Sequence, residues 1–301
     1  MKKFAILLTL AALATFSACT QGEPETTPEI ITEAPSPLIQ TEPVHWYINS
    51  QEITNETLAQ MVQNGDIPHN VTHLNLQNNL LTDITPLANL PYLTWLDLWS
   101  NPIESLAPLA NVPNLTYLIM LGENHVTDFT PLANLAHLRY LYITNNPGVD
   151  LTPISTLPSL TELEINITGL TSEQFGLLAN APSLTALALS GHNPSIFPMV
   201  ANFTNLIAFE IRGGGMSDLS PLANLTNLTL LELAGNGITD ISPLANLTNL
   251  TRLGVWANEI EDVTPLTALV NLQVLDLEHN PVTEESVAAL QSALPNLEIF
   301  R

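Results

Sequence analysis

Lysine is almost missing from this 301-residue chain: Lys2 and Lys3 stand at its start, and Arg139, Arg212, Arg252 and Arg301 supply every other fixed positive charge. Against 29 acidic residues the formal net charge is −23. Such a surface repels nucleic acid and anionic lipid headgroups, which excludes nucleic acid as a partner. It favours cationic partners or metal ions, and it equally serves solubility. Cysteine is reduced to Cys19, so no internal disulfide can form. Catalytic motifs are missing too: there is no Gly-x-Ser-x-Gly, no His-Glu-x-x-His, no phosphate-binding glycine loop and no cysteine cluster. The seven histidines lack ligand spacing and read as surface or turn residues, so neither a metal nor a cofactor is expected. The only constellation with catalytic potential is the carboxylate pair Glu162 and Glu164, and no apolar pocket that would raise either pKa is evident in the sequence. The chain therefore reads as a non-enzyme.

What the chain has in abundance is a repeated phrase. Leu, two residues, Leu, one residue, Leu, two residues and Asn recur about every 22 residues, as in Leu93, Leu96, Leu98 and Asn101. The ladder positions are Asn79, Asn101, Asn124, Asn146, Thr168, His192, Gly214, Asn236, Asn258 and Asn280, ten units in all. A unit this short cannot bury its own leucines, so stacking must supply the core. An asparagine carries both acceptor and donors, and can satisfy turn backbone inside the coil where water is absent. Prolines at Pro86, Pro108, Pro131, Pro153, Pro221, Pro243 and Pro265, each seven residues past a ladder position, suit short turns or 3-10 segments on the convex side. The expected architecture is an α/β solenoid: a leucine-rich-repeat horseshoe with a parallel sheet on its concave face and helical caps at both ends.

The phrases Leu219-Ser220-Pro221-Leu222-Ala223-Asn224-Leu225-Thr226-Asn227-Leu228 and Ile241-Ser242-Pro243-Leu244-Ala245-Asn246-Leu247-Thr248-Asn249-Leu250 closely resemble the internalin-type repeat of bacterial surface proteins. The resemblance covers residues 71–282. It implies the solenoid and a variable concave surface for noncovalent recognition, and says little about which partner, because this repeat class serves unrelated ones. No immunoglobulin-like segment stands between the repeats and Arg301, so host-cell adhesion is not implied.

Residues 1–18, with Lys2, Lys3, an apolar run from Phe4 to Phe16 and then Ser17-Ala18-Cys19, read as a bacterial lipoprotein signal peptide. That likeness implies lipidation of Cys19 and a membrane-anchored address, on the cell membrane or the outer membrane, facing away from the cytoplasm. The alternative is an ordinary secretory signal with a free cysteine. Residues 19–43, rich in Pro, Thr and Glu, read as a disordered tether with a reach on the order of 70 Å. Residues 44–70 form the expected N-terminal cap, with a helix over Gln51 to Gln63 and Asn55 as its N-cap. At the other end 283–301 form the C-terminal cap, with an amphipathic stretch following Thr283.

Three columns of residues should face the hollow of the solenoid. The first runs His73, Trp95, Tyr117, Tyr140, Glu162, Ala186, Ala208, Leu230, Arg252 and Val274. Beside it, the central column runs Asn75, Asp97, Ile119, Tyr142, Glu164, Ala188, Glu210, Glu232, Gly254 and Asp276. The third contains Gln77, Trp99, Leu121, Thr144, Asn166, Ser190, Arg212, Ala234, Trp256 and Glu278. These columns hold six of the nine Trp and Tyr residues, so they are far from a random draw. Trp95, Trp99, Tyr117, Tyr140 and Tyr142 should form one aromatic patch edged by Asp97, Glu162 and Glu164, and together these are the candidate ligand-binding residues. Glu210, Arg212, Glu232, Arg252 and Trp256 make a secondary candidate group. Two readings stand for each. The aromatics either bind a partner or pack on one another, and the charges either receive a cationic group or pair locally. An aromatic row edged by carboxylates suits a basic peptide segment or a glycan. Arg212-Gly213-Gly214-Gly215 marks either a bend open to a ligand or simple decay of the repeat.

Overall fold

In the computed structural model the described residues are 43–47, 53–122, 124–143 and 150–301. The expected signal peptide, Cys19 and the tether up to residue 42 lie outside them, as do Gln51, Thr144 and Asn146. Each repeat contributes one short strand: β1 His45–Tyr47, β2 His73–Asn75, β3 Trp95–Asp97, β4 Tyr117–Met120, β5 Tyr140–Ile143, β6 Glu162–Asn166, β7 Ala186–Ser190, β8 Ala208–Ile211, β9 Leu230–Glu232, β10 Arg252–Gly254, β11 Val274–Asp276 and β12 Glu298–Phe300. All twelve join in one parallel sheet in strict chain order. The sheet is thus a strand longer at each end than ten ladder positions indicate. Leu294-Pro295-Asn296-Leu297, just before β12, repeats the approach Val112-Pro113-Asn114-Leu115 to β4, a signal that was present in the sequence.

The leucines explain the layering. Leu93, Leu96 and Leu98, like their counterparts in other units, are fully buried between the sheet and the convex segments. Those segments are 3-10 turns such as Thr85–Asn89 and Ser242–Asn246, with proline in the first turn, where its missing N–H costs nothing. An aspartate two residues earlier fixes several of them: Asp83 accepts the Thr85 N–H at 2.8 Å, and Asp218, Asp240 and Asp262 do the same for Ser220, Ser242 and Thr264. Part of the chain's acidity is therefore turn chemistry. The bonds to Thr130, Thr152 and Ser242 hold Asp128, Asp150 and Asp240 below the usual carboxylate range.

Asparagine does the work inside each coil. The Asn101 amide donates to Leu76 O (2.8 Å) and Leu98 O (3.0 Å), and its Oδ1 accepts from Leu81 N. Asn258 likewise donates to Leu233 O and Val255 O and accepts from the backbone of Asn236 and Ile238. Where the ladder position is His192, the next residue substitutes: Asn193 donates to Ile167 O and Leu170 O. Gly214 needs no side chain, because Asn236 Oδ1 accepts from Gly214, Gly215 and Met216 of that same turn.

Helix α1, Asn55–Asn64, covers the first coil, yet its N-cap is Thr54, whose hydroxyl accepts from Thr57 N. Asn55 instead ties the helix to the solenoid, accepting from Thr82 N and Asp83 N and donating to Thr82 Oγ1. In the middle of the array the 3-10 turn becomes α2, Thr152–Ser155, which keeps Pro153 at its start, and the proline is lost at α3, Ser172–Leu177, which opens on a Thr171–Gln174 capping box. Helix α4, Glu284–Ala293, capped by Thr283, covers the coil before β12.

Asn101→Ala should cost about 2–4 kcal/mol in chemical denaturation, because it strands Leu98 O and the Leu81 N–H inside the coil and leaves Leu76 O to the Asn79 amide alone. Asn89→Ala, on the exposed convex turn, should stay within about 0.5 kcal/mol.

The concave face as a candidate recognition surface

Strand pairing places the first and central columns directly, and in the third it pairs Asn166 with Ser190. His45, His73, Trp95, Tyr117, Tyr140 and Glu162 stand opposite one another on β1 to β6, and Tyr47, Asn75, Asp97, Ile119, Tyr142 and Glu164 do the same one column over. Parallel strands lie about 4.8 Å apart, close to the thickness that stacked rings demand. The first column is accordingly a continuous ring stack: centroids are 4.2 Å apart for His45–His73, 6.2 Å for His73–Trp95, 5.8 Å for Trp95–Tyr117 and 5.1 Å for Tyr117–Tyr140. Tyr142 meets Tyr117 edge-on at 5.3 Å. Each such pair contributes about 0.5–1.5 kcal/mol beyond burial, so the aromatics do pack on one another.

Packing changes which of them a partner could touch. Tyr142 is only 1% exposed, so its ring belongs to the core of the patch and not to its surface. Trp95, Tyr117 and Tyr140 are half-buried and keep part of each ring at the surface, whereas Trp99, at 43%, is open. Asp97, Glu162 and Glu232, expected as surface charges, are buried as well.

Two of these buried acids have hydrogen-bond partners beside the aromatic patch. Asp97 accepts the Trp99 N–H at 2.8 Å, and Tyr142 donates its hydroxyl to Glu162 at 2.5 Å. Burial drives Asp97 up to about 6 against the pull of the Trp99 bond. It likewise raises Glu162, opposed by the Tyr142 bond, and it raises Glu164, with the neighbouring Glu162 charge pushing in the same direction. The absence of a pKa-raising environment expected for this pair is thus corrected: the walls of the concave face supply it. Tyr117 is pushed up to about 12 by burial, and burial with the adjoining His45 lowers His73 to about 4.

The secondary group resolves into two ion pairs. Glu232 accepts from Arg252 Nε at 3.1 Å and lies in space that only a glycine at 254 leaves, since a Cβ there would collide with its carboxylate. Glu210 accepts from Arg212 at 2.8 Å, yet burial carries it up to about 7, with Glu232 and Glu164 adding to the rise. The Gly214 and Gly215 positions are likewise filled from within: a Cβ at the former would strike Ile211 and at the latter the His192 ring. These two glycines make room for their neighbours and not for a ligand.

With this geometry in hand, comparison with known proteins is specific. The family of Leucine Rich repeats (2 copies) matches at residues 69–111, 93–134 and 226–268, and the single Leucine Rich Repeat family at 271–293. No curated protein matches the chain. The crystal structure of an internalin (inlF) from Listeria monocytogenes is 31% identical, with 77% of this chain and 74% of that one covered and a TM-score of 0.56. The chain belongs to the internalin-type leucine-rich-repeat family. A leucine-rich-repeat protein of Leptospira interrogans shares the fold, with a TM-score of 0.59 at 22% identity, over 81% of the internalin-type chain and 62% of its own. The fold is one consistent with protein–protein recognition. Among the described residues no group of three or more His, Cys, Asp or Glu is placed to hold a metal ion, and no helix is long and apolar enough to cross a membrane.

The raised carboxylates fix the sign of the pH response. Glu210 binds its proton near pH 7 when folded but only near its ordinary 4.5 when unfolded, so its ionisation opposes folding above pH 7. His73 acts in the opposite sense, but only below its ordinary 6.5. Between pH 6.5 and pH 8 the protein should therefore lose stability as pH rises, by about 1 kcal/mol or roughly 2–4 °C in Tm, and Glu210→Gln should flatten that slope.

Proposed function

We propose that the concave face binds a protein or peptide partner noncovalently, through the surface formed by Trp95, Trp99, Tyr117, Tyr140 and Glu164. The observation that carries this reading is the rigid ring stack with the open Trp99 beside it. Stacking removes side-chain entropy before any partner arrives, and a pre-ordered aromatic surface loses little on binding. Tyr142, Asp97 and Glu162 support that surface from beneath. The charge of the face favours a partner segment with basic residues, by ion pairing and by cation–π contact with the rings. Lipid anchoring at Cys19 outside the cytoplasm is part of the proposal and rests on the N-terminal sequence alone. A glycan partner is the second reading, because sugars also stack on exposed ring faces.

Trp99→Ala is the cleanest test, since it removes the open ring without breaking the stack. Pull-down from the surface fraction of the source organism with the full chain should retain a partner, and binding should weaken by about tenfold or more in Trp99→Ala while Tm moves by less than about 2 °C. Equal binding by the variant would reject the assigned face. Retention of sugars without protein would favour the glycan reading.

A further inference from the structure

Both ends of the sheet are open. Among the described residues β1 pairs with β2 alone and β12 with β11 alone, so the outer edge of each carries backbone groups without a ladder partner. Three residues are enough to pair in this molecule, since β2, β3 and β9 to β11 are no longer than that. The side chains at the two edges are open as well. Tyr47 is 60% and Phe300 40% exposed, and His45 and Glu298 are exposed beside them. Trp46 and Ile299 stand in the register position that Leu74 and Leu275 fill, yet they are only partly buried, with no further strand beside them among the described residues.

The two edges fit each other. Continuing the sheet's own register past β12 with β1 of a second copy sets Glu298 opposite His45, Ile299 opposite Trp46 and Phe300 opposite Tyr47. These are a carboxylate facing an imidazole, an apolar pair in line with the core, and a ring on a ring, each a favourable cross-strand pair. Ladder bonds continue in the same way. Val255 N donates to Asp276 O and Leu277 N to Phe300 O, and one more step brings Arg301 N to Tyr47 O. Likewise Thr72 O accepts from Trp95 N and Gln273 O from Glu298 N, which places His45 N on Leu297 O.

Helix spacing separates this arrangement from a symmetric one. Helix α1 follows β1 and is bonded to the coil after β2, while α4 follows β11 and is bonded to the coil after β10. With β12 beside the second copy's β1, α4 and α1 lie two strand steps apart, about 10 Å, which is the distance at which helices pack. Two β1 strands together would force their α1 helices to a single step of about 5 Å, and two β12 strands would part their α4 helices by three, about 14 Å.

We infer that the chain joins end to end with copies of itself, β12 of one pairing with β1 of the next to extend a single parallel sheet. Such a contact is head-to-tail and does not close on itself, so it builds assemblies of increasing length. The net charge of −23 opposes it, so contact is favoured where salt screens the copies from one another.

The test is sedimentation of the full chain beside Tyr47→Lys and Phe300→Lys, at about 1 M salt, where the screening length is about 3 Å. Detergent shields the apolar run from Phe4 to Phe16, and reductant keeps Cys19 from bridging copies. Both substituted positions are exposed, and a lysine on an edge strand blocks strand addition while leaving the fold intact, so Tm should move by less than about 2 °C. Expected is a parent that grows beyond dimers as concentration rises, variants that each stay monomeric alone, and an equal mixture of the two that forms dimers and stops there. Only a head-to-tail contact gives that last result, because Tyr47→Lys keeps β12 unaltered and Phe300→Lys keeps β1 unaltered. A monomeric parent, dimers in either variant alone, association unaltered by both substitutions, or a mixture that stays monomeric would each overturn the inference.

Discussion

Everything in this molecule depends on one constraint: each coil must turn polar backbone toward its own interior, where no water can satisfy it. Asparagine answers it by donating to two carbonyls and accepting from the preceding coil, as Asn101 and Asn258 do. Because that bond set joins one coil to the last, it also fixes the distance from each strand to the next. Register follows without further instruction, and residues 22 apart fall into straight columns. The strictness of those columns is what turns a list of side chains into a surface.

A column also has a cost, since every residue in it acquires the same kind of neighbour on two sides. For rings this is favourable, and the stack from His45 to Tyr140 is the result. For carboxylates it is unfavourable where two fall on adjacent strands, as Glu210 and Glu232 do, and the acids from Glu162 to Glu232 are held with raised pKa values, one tyrosine and two arginines. Apolar residues there would give a more stable sheet, because burying charge costs more than local pairing returns. A carboxylate file kept at such expense on the face that a partner would meet is an argument for recognition rather than for folding.

Most of the fold was legible in the sequence, because a 22-residue period with leucines and asparagine at set places admits few architectures. The columns were legible for the same reason, as the pairing from His73 through Val274 shows. Burial was not. Whether Tyr142 or Glu162 is open depends on the height of the side chains beside it, and that is a three-dimensional sum which no one residue announces. Small shifts were missed for local reasons: Asn193 replaces the ladder asparagine one place late, and Thr54 rather than Asn55 caps α1 because Asn55 is bonded to the next coil. The aspartates before the proline turns were visible but were read only as charge.

The two halves of the concave face differ in what they can contribute to binding. Around β3 to β5 the rings offer contact area already locked by stacking, which gives affinity with weak demands on sequence. Strands β6 and β7 are the longest of the sheet, five residues each, and their pairing runs on to Asn166 and Ser190. The backbone is thus held by extra ladder bonds between Glu164 and Glu210. A rigid floor keeps Glu164 and Glu210 from moving apart, so their repulsion is relieved within the chain, by raised pKa values and by the Arg212 ion pair.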